Sequence, residues 1–431
     1  MKLCMLTNTY RPHVGGVARS IETLVTQCRA RGHEVRVVAP EFPGVVRGAE
    51  EAEGILRVPA IQNFNGSDFS VRVPVPQFLS ARIDTFAPDV IHSHHPFLLG
   101  DTALRLAYRL HLPLVFTHHT LYENYTHYVP FDSGPLKRFV IRLATDYANC
   151  CDAVIAPSES MARLMRGRGV RAPVHVIPTG VDTRAFARGD GPGFRAERGL
   201  PRDALVLGHV GRLASEKNLG YLGRAVTEAL RAHRDWYFLL VGDGPESRML
   251  RAMFEDAGLG ARVLMTGKLT GHVLHDAYGA MDAFLFASQS ETQGMVVAEA
   301  MAAGNPVIAL DGPGVRDVVR DDGNGRLLPG KAEPSAFAAA LAALDDVERL
   351  DMWRRGALAT ARDYDQGRCA ERVLALYQGL QPGRRGRRDD GDWTWWDRLL
   401  GRIDAEWELL TAKADSATGS LRTERPHDAS P

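Results

Sequence analysis

Two carboxylates, Glu291 and Glu299, bracket an apolar run that opens at Gly294-Met295-Val296 and closes at Gly304-Asn305-Pro306. Upstream, Arg212 and Lys217 follow the apolar stretch Leu205–Val210. Cations just past the carboxyl end of a strand neutralise a diphosphate, and arginine offers a planar fork to two phosphate oxygens. Free backbone amides around Gly294, where a helix begins, face the same kind of anion. Carboxylates beside such a site suit hydroxyl groups. Together these residue types point to a ligand carrying hydroxyls as well as phosphate. Gly15-Gly16, between an apolar run and an amphipathic one, would let backbone approach a phosphate at a second helix start, although an ordinary tight turn also uses such a pair.

Two other chemistries compete for these residues. Paired carboxylates hydrolyse glycosides when they face one sugar from opposite sides. Arg212 and Lys217 nearby would depress both carboxyl pKa values, which is wrong for a general acid. His92-Ser93-His94-His95 and His118-His119 could assemble a metal site if their strand ends meet, because His92 and His94 share a strand face. No well-placed carboxylate or cysteine completes that set, and no Asp-x-Asp motif appears in a metal-binding context. Metal-independent chemistry is therefore expected.

The elements that must position these residues follow from periodicity. Lys2–Thr7 reads as a buried strand, Val17–Arg31 as a helix closed by Gly32, and Glu34–Ala39 as the next strand. Strands are expected at 90–92, 114–117, 153–156 and 174–177, and the pattern restarts at Leu205–Val210 with strands at 237–241, 263–266, 283–287 and 306–310. Strands alternating with helices twice over predict an α/β protein with two doubly wound parallel-sheet domains facing a cleft. The expected boundaries are 1–185, 186–364, a crossing helix in 365–381 and an appendage in 382–431, with Ala187–Gly193 read as a Gly-rich linker. A net charge of zero gives no reason to expect nucleic acid as a partner. No run approaches the roughly 20 apolar residues of a membrane span. Met1–Asn8 turns polar too soon for a signal peptide. Five cysteines without ligand spacing read as free thiols, which fits a reducing cytoplasm.

The set Gly211-Arg212-Leu213…Glu216-Lys217-Asn218, Val241-Gly242-Asp243-Gly244-Pro245 and Ser290-Glu291…Glu299-Ala300-Met301-Ala302-Ala303-Gly304 resembles the family 4 glycosyltransferases. These are retaining enzymes of GT-B architecture, with two Rossmann-like domains, that use nucleotide-sugar donors. The resemblance spans roughly Met1 to Leu380. It implies that Arg212 and Lys217 bind the donor diphosphate, Glu299 the ribose hydroxyls, and Glu291 lies near the transferred sugar. It further implies that Gly294, Met295 and Val296 supply amides, that Gly15-Gly16 is the donor-side glycine loop of the first domain, and that no cofactor is needed beyond the nucleotide sugar.

Thr117-His118-His119-Thr120-Leu121-Tyr122-Glu123-Asn124-Tyr125-Thr126-His127-Tyr128 resembles, within that family, the bacterial diacylglycerol glycosyltransferases. The resemblance makes His119 the active-site histidine, with Tyr122, Glu123, Tyr125, His127 and Tyr128 shaping the acceptor mouth and His94 a further acceptor candidate. The implied reaction moves a hexose or hexuronic acid from a UDP-sugar to a membrane lipid such as diacylglycerol. A cell-envelope or lipopolysaccharide saccharide is the alternative acceptor, and a non-catalytic nucleotide-sugar-binding protein the alternative class. In the appendage, Trp393, Trp396, Leu399, Leu400, Ile403, Trp407 and Leu410 form one apolar stripe after the basic run Arg384–Arg388. Segment 383–410 suits an anionic membrane surface at the inner face of the cell membrane, or docking on a protein surface. Ser416–Pro431 is polar and lacks periodicity, as disordered tails do.

Overall fold

The computed structural model describes residues 1–13, 15–42, 47–61, 71–72, 77–124 and 134–380. Tyr125, His127, Tyr128 and the whole 382–431 appendage lie outside the described residues. The first sheet contains β1 (Lys2–Leu6), β2 (Glu34–Pro40), β3 (Ile55–Val58), β4 (Val90–Ser93), β5 (Leu114–Thr117), β6 (Ala153–Ala156) and β7 (Val174–Val176). The second contains β8 (Leu205–Val210), β9 (Trp236–Val241), β10 (Val263–Gly267), β11 (Ala283–Phe286), β12 (Val307–Leu310) and β13 (Gly325–Leu328). Their orders are β3-β2-β1-β4-β5-β6-β7 and β10-β9-β8-β11-β12-β13, with every pairing parallel. Helices cover both faces, which is why strands such as Leu-Val-Phe-Thr and Ala-Phe-Leu-Phe are buried at every position. The fold is the GT-B arrangement of two Rossmann-like domains. All five cysteines are free, and burial pushes the Cys4 and Cys28 thiols up to about 12.

The stretch expected as a linker is instead packed structure. Thr183–Phe186 and Gly191–Arg198 are short helices, with Asp182 and Asp190 capping them through the Ala185 and Gly193 amides. Phe186 and Phe194 are buried in the second domain's core. A Cβ on Gly189 or Gly191 would lie 2.2 or 2.0 Å from the carbonyl oxygens of His275 or Gly279. These glycines serve close backbone approach, which composition alone cannot distinguish from flexibility.

The chain crosses between domains twice, and the crossings touch. The Val181 amide donates to the Tyr364 carbonyl at 2.7 Å, and the Gln366 amide to the Val181 carbonyl at 3.0 Å. The Thr183 hydroxyl donates to Asp365 at 2.9 Å. Beyond this point the helix Gln366–Gly379 returns to the first domain, where Val373, Leu374 and Tyr377 join the core of Leu3, Met5, Ile21 and Ile155. A Cβ on Gly180 would fall 2.2 Å from the Gln366 Cα, whereas one on Gly16 would meet nothing within 4 Å. Gly180→Ala should therefore cost about 1–3 kcal/mol as the crossings are forced apart. Gly16→Ala should leave stability unchanged. Urea unfolding of the two variants checks both, and a wild-type midpoint for Gly180→Ala would refute the crossing argument.

Candidate active site

In a doubly wound sheet, ligands bind at the carboxyl ends of the two strands where the order reverses. The reversals fall between β1 and β4 and between β8 and β11. The loops after these strands carry, in turn, Gly15-Gly16, His94, Arg212 with Lys217, and Glu291 with Gly294. His119 follows β5, one strand further along. Topology thus gathers the sequence candidates at two facing sheet edges.

In the second domain, Lys217 closes a single 3-10 turn, Ser215–Lys217, and its Nζ lies 2.5 Å from Glu291 Oε1. The Ser288 hydroxyl donates to the same oxygen at 2.9 Å. Arg212 is exposed on the neighbouring bend. That bend is laid against the Gly242–Pro245 loop: the Gly211 amide donates to the Val241 carbonyl, and the Leu213 amide to the Asp243 carbonyl. Beneath the pair, His209 Nδ1–H donates to the Leu285 carbonyl at 2.9 Å, and burial pushes its imidazole down to about 4.

The Glu291–Gly294 loop is gripped by the first domain. The Thr292 hydroxyl donates to the His119 carbonyl at 2.8 Å, and Ser158 donates to the Thr292 carbonyl at 2.7 Å. Gln293, buried, accepts from the Thr179 amide and donates to the Thr179 carbonyl, at 2.7 and 2.8 Å. Gly294 then turns with φ 74° into the helix Met295–Ala302, a left-handed conformation that favours glycine. Met295 and Val296 open that helix half-buried, with first-turn amides that have no intrahelical partner.

Glu299 sits one turn further, 2% exposed, between Tyr278 and Arg19. The Tyr278 hydroxyl donates to Oε2 at 2.9 Å, and Arg19 reaches Oε1 at 3.0 Å from the first turn of the helix Gly16–Ala30. Burial raises the Glu299 carboxyl above its ordinary range, against the opposing pull of Arg19 and of the Tyr278 hydrogen bond. Because Arg19 and Glu299 each lie about one turn into their helices, this contact brings two helix N-termini together across the domains.

The histidines behave differently from a metal cluster. Asn8 donates its amide to His95 Nδ1 at 3.1 Å, tying the loop after β1 to the loop after β4. His92 is held between the Tyr377 hydroxyl at 2.6 Å and the Thr117 hydroxyl at 2.7 Å. His94 Nδ1 contacts His119 Nε2 at 2.9 Å. Among the described residues no group of three His, Cys, Asp or Glu side chains is placed to hold a metal ion. An open cavity of about 420 Å³ is lined by Ser20, His94, Thr117, His119, Thr179 and Gln366.

Of the acceptor-side candidates, His119 is half-buried at this junction, whereas His94 is 1% exposed and lies behind it. Tyr122 and Glu123 turn away from His119. They line a separate cavity of about 270 Å³ with Ile141, Met165 and Arg168, and Glu123 pairs with Arg168. After Thr117 the chain leaves the extended conformation for a short 3-10 turn at Tyr122–Asn124, so strand alternation no longer sets side-chain direction. Sequence reasoning missed Arg19, Tyr278, Thr292 and Gln293. Arg19 had the clearest signal, a cation one turn after Gly15-Gly16.

The Arg19–Glu299 pair yields a pH-dependent expectation. A carboxyl whose folded-state pKa is raised contributes most below its ordinary range, and that contribution is lost as pH rises through the raised value. Removing Arg19 raises it further. Arg19→Met should therefore be close to neutral for stability below about pH 4. At neutral pH it should cost about 1–2 kcal/mol, less than a fully enclosed pair loses, because the Arg19 side chain is 46% exposed. Urea unfolding at the two pH values checks this, and an equal loss at both would contradict it.

Residues 14–185 match the family model Glycosyltransferase Family 4, and residues 192–357 match the model Glycosyl transferases group 1. The chain is 31% identical over 357 residues to the alpha-monoglucosyldiacylglycerol synthase of Streptococcus pneumoniae, covering 80% of each protein. It is 31% identical over 338 residues to a GDP-mannose-dependent alpha-mannosyltransferase of Mycobacterium tuberculosis, covering 76% of this chain and 84% of that protein. Among solved structures, Anabaena HepE in complex with UDP superposes with a TM-score of 0.70 at 20% identity, covering 88% of this chain and 100% of that one. With both family models matched in order on two Rossmann-like domains, this chain belongs to the family 4 glycosyltransferases of GT-B fold.

Proposed function

We propose that the protein transfers a hexose, or a hexuronic acid, from a UDP-sugar to a membrane lipid such as diacylglycerol, with retention and without a metal. The observation that carries the donor half is the Arg19–Glu299 contact, which sets two helix N-termini side by side between the domains. Their amides, at Gly15-Gly16 and at Gly294 to Val296, converge with Lys217 and Arg212 on one anionic ligand. In this reading the diphosphate lies against these amides and cations, Glu299 accepts from the ribose hydroxyls, and Glu291 with His119 flanks the sugar. The bond from the anomeric carbon to the diphosphate oxygen breaks, and the acceptor oxygen bonds to that carbon on the same face. The acceptor's proton passes to the leaving phosphate. Charge growing on the diphosphate is met by fixed cations and amides, a role a metal ion fills elsewhere.

The lipid half rests on the sequence around His119 and on the similarity to a glucosyldiacylglycerol synthase. Among the described residues no helix is long and apolar enough to cross a membrane. Attachment is therefore proposed to be peripheral, at the inner face of the cell membrane, with segment 383–410 as the contact. The similarity to a GDP-mannose-dependent enzyme favours one second reading, a GDP-linked donor with a saccharide acceptor.

Purified full-length protein is incubated with radiolabelled UDP-glucose, UDP-glucuronate or GDP-mannose and vesicles with or without diacylglycerol. Label should enter the organic phase only with a UDP-sugar and diacylglycerol, and EDTA should not change its rate. Lys217→Ala and Glu291→Ala should each lower kcat by about 10²–10³-fold. Transfer from GDP-mannose alone would move the assignment to the second reading, and no transfer from any donor would leave a binding protein. Deleting Gly391–Leu410 should release the protein from anionic vesicles; unchanged binding would remove that segment from the proposal.

A further inference from the structure

The ends of β4 and β5 hold a chain of imidazoles, His94 buried and His119 half-buried, whose proton positions are constrained by the protein itself. His94 Nδ1 and His119 Nε2 are 2.9 Å apart, with ring centroids 5.2 Å apart and ring planes 24° from parallel, so the rings meet edge to edge. Burial first, and neighbouring imidazoles second, hold both groups well below the usual histidine range, so both rings are neutral. A contact between two neutral imidazole nitrogens needs one N–H and one bare lone pair. The far side of His94 decides which ring donates. Its Nε2 is closed to solvent and has no hydrogen-bond partner among the described residues. If His119 donated, His94 would carry its proton on that Nε2, leaving a buried N–H with no acceptor. If His94 donates, the orphan is a bare lone pair. Buried N–H groups without partners are the rarer and costlier of the two.

We propose that His94 is a positioning residue: its Nδ1–H donates to His119 Nε2 and locks His119 in the Nδ1–H tautomer. His119 then presents a hydrogen-bond donor, not a general base, to the reacting sugar or acceptor. His92 backs this arrangement, its ring centroid 4.1 Å from that of His94 and its two nitrogens fixed by Tyr377 and Thr117. Through Tyr377 the returning helix Gln366–Gly379 supports the orientation of an active-site ring. The location of His119 beside the reacting groups rests on the proposed function. The tautomer does not, so the two can fail separately.

The test uses the full chain labelled with [15N]histidine and long-range proton–nitrogen spectra, with the His119 signals identified by their loss in His119→Asn. The wild type should show His119 with a protonated Nδ1 and an acceptor-type Nε2. His94→Asn, whose amide N–H can replace the Nδ1–H, should keep that pattern. His94→Leu should give a mixture of tautomers. Transfer should follow: kcat should fall about tenfold or more in His94→Leu with donor KM within about twofold, and His94→Asn should restore most of it. A wild-type His119 protonated on Nε2 overturns the proposal, and this reading needs no variant to fold. An unchanged tautomer and kcat in His94→Leu overturns it equally.

Discussion

Gln293 holds the backbone of Thr179 as a neighbouring strand would, giving and taking one hydrogen bond, and the candidate active site depends on that clasp. Each such bond has a modest net worth of about 1 kcal/mol, but a buried amide left unpaired would cost more. The clasp therefore acts mainly by excluding other arrangements. With Thr292 tied to His119 and Ser158, consecutive residues of one domain's loop are seated on strand ends of the other. Gly294 converts that seated loop into a helix start, and Glu291 at its near end meets Lys217. The first domain thereby sets where the second domain's amides and charges lie.

The charges at this junction are paired within the protein. Lys217 is matched by Glu291, and Arg19 by Glu299. Pairing with Arg19 opposes the burial that drives a carboxylate as enclosed as Glu299 toward protonation. It also sets the terms for an entering nucleotide. On the proposed function, a diphosphate would compete with Glu291 for Lys217, and ribose hydroxyls with Arg19 for Glu299. Arg212 is exposed on the neighbouring loop. Donor binding would then be an exchange of partners, and since Arg19 and Glu299 belong to different domains, that exchange would bear on how the domains are held.

Much of this was legible in the sequence. Each strand carrying a candidate residue runs within a residue or so of its expected bounds, because short Val, Leu, Ile and Phe runs buried on both faces leave little choice of element. The motif loops fall at the switch points because a parallel sheet sends its strand-to-helix loops to one edge. Less legible were features that exist only across the chain. Arg19 finds Glu299, and Gln293 finds Thr179, through domain docking that no local pattern encodes. Edge strands β3 and β13 escaped notice, each being four residues with weak flanking signals. Tyr122 and Glu123, which the resemblance assigned to the acceptor mouth, line a separate cavity because the chain enters a 3-10 turn after the strand ends.

Glycine separates scaffold from site in this protein. Gly242 stands at φ 140°, and a Cβ there would lie 1.8 Å from the Gly211 carbonyl oxygen; one on Gly244 would lie 2.3 Å from that of Leu213. The Gly-Asp-Gly motif is thus required by two loops pressed together beneath the exposed Arg212, and the protein alone accounts for it. Gly15 and Gly16 are different. Gly15 is extended at φ −163°, a conformation any residue adopts, and a side chain on Gly16 would enter open space. Among the described residues, no conformational or packing demand calls for glycine at Gly16. That open space fits the proposed function, in which a ligand comes within backbone distance of a helix N-terminus. One turn further along that helix Arg19 turns toward Glu299, so the open glycine and the contact between the domains lie at the same helix start.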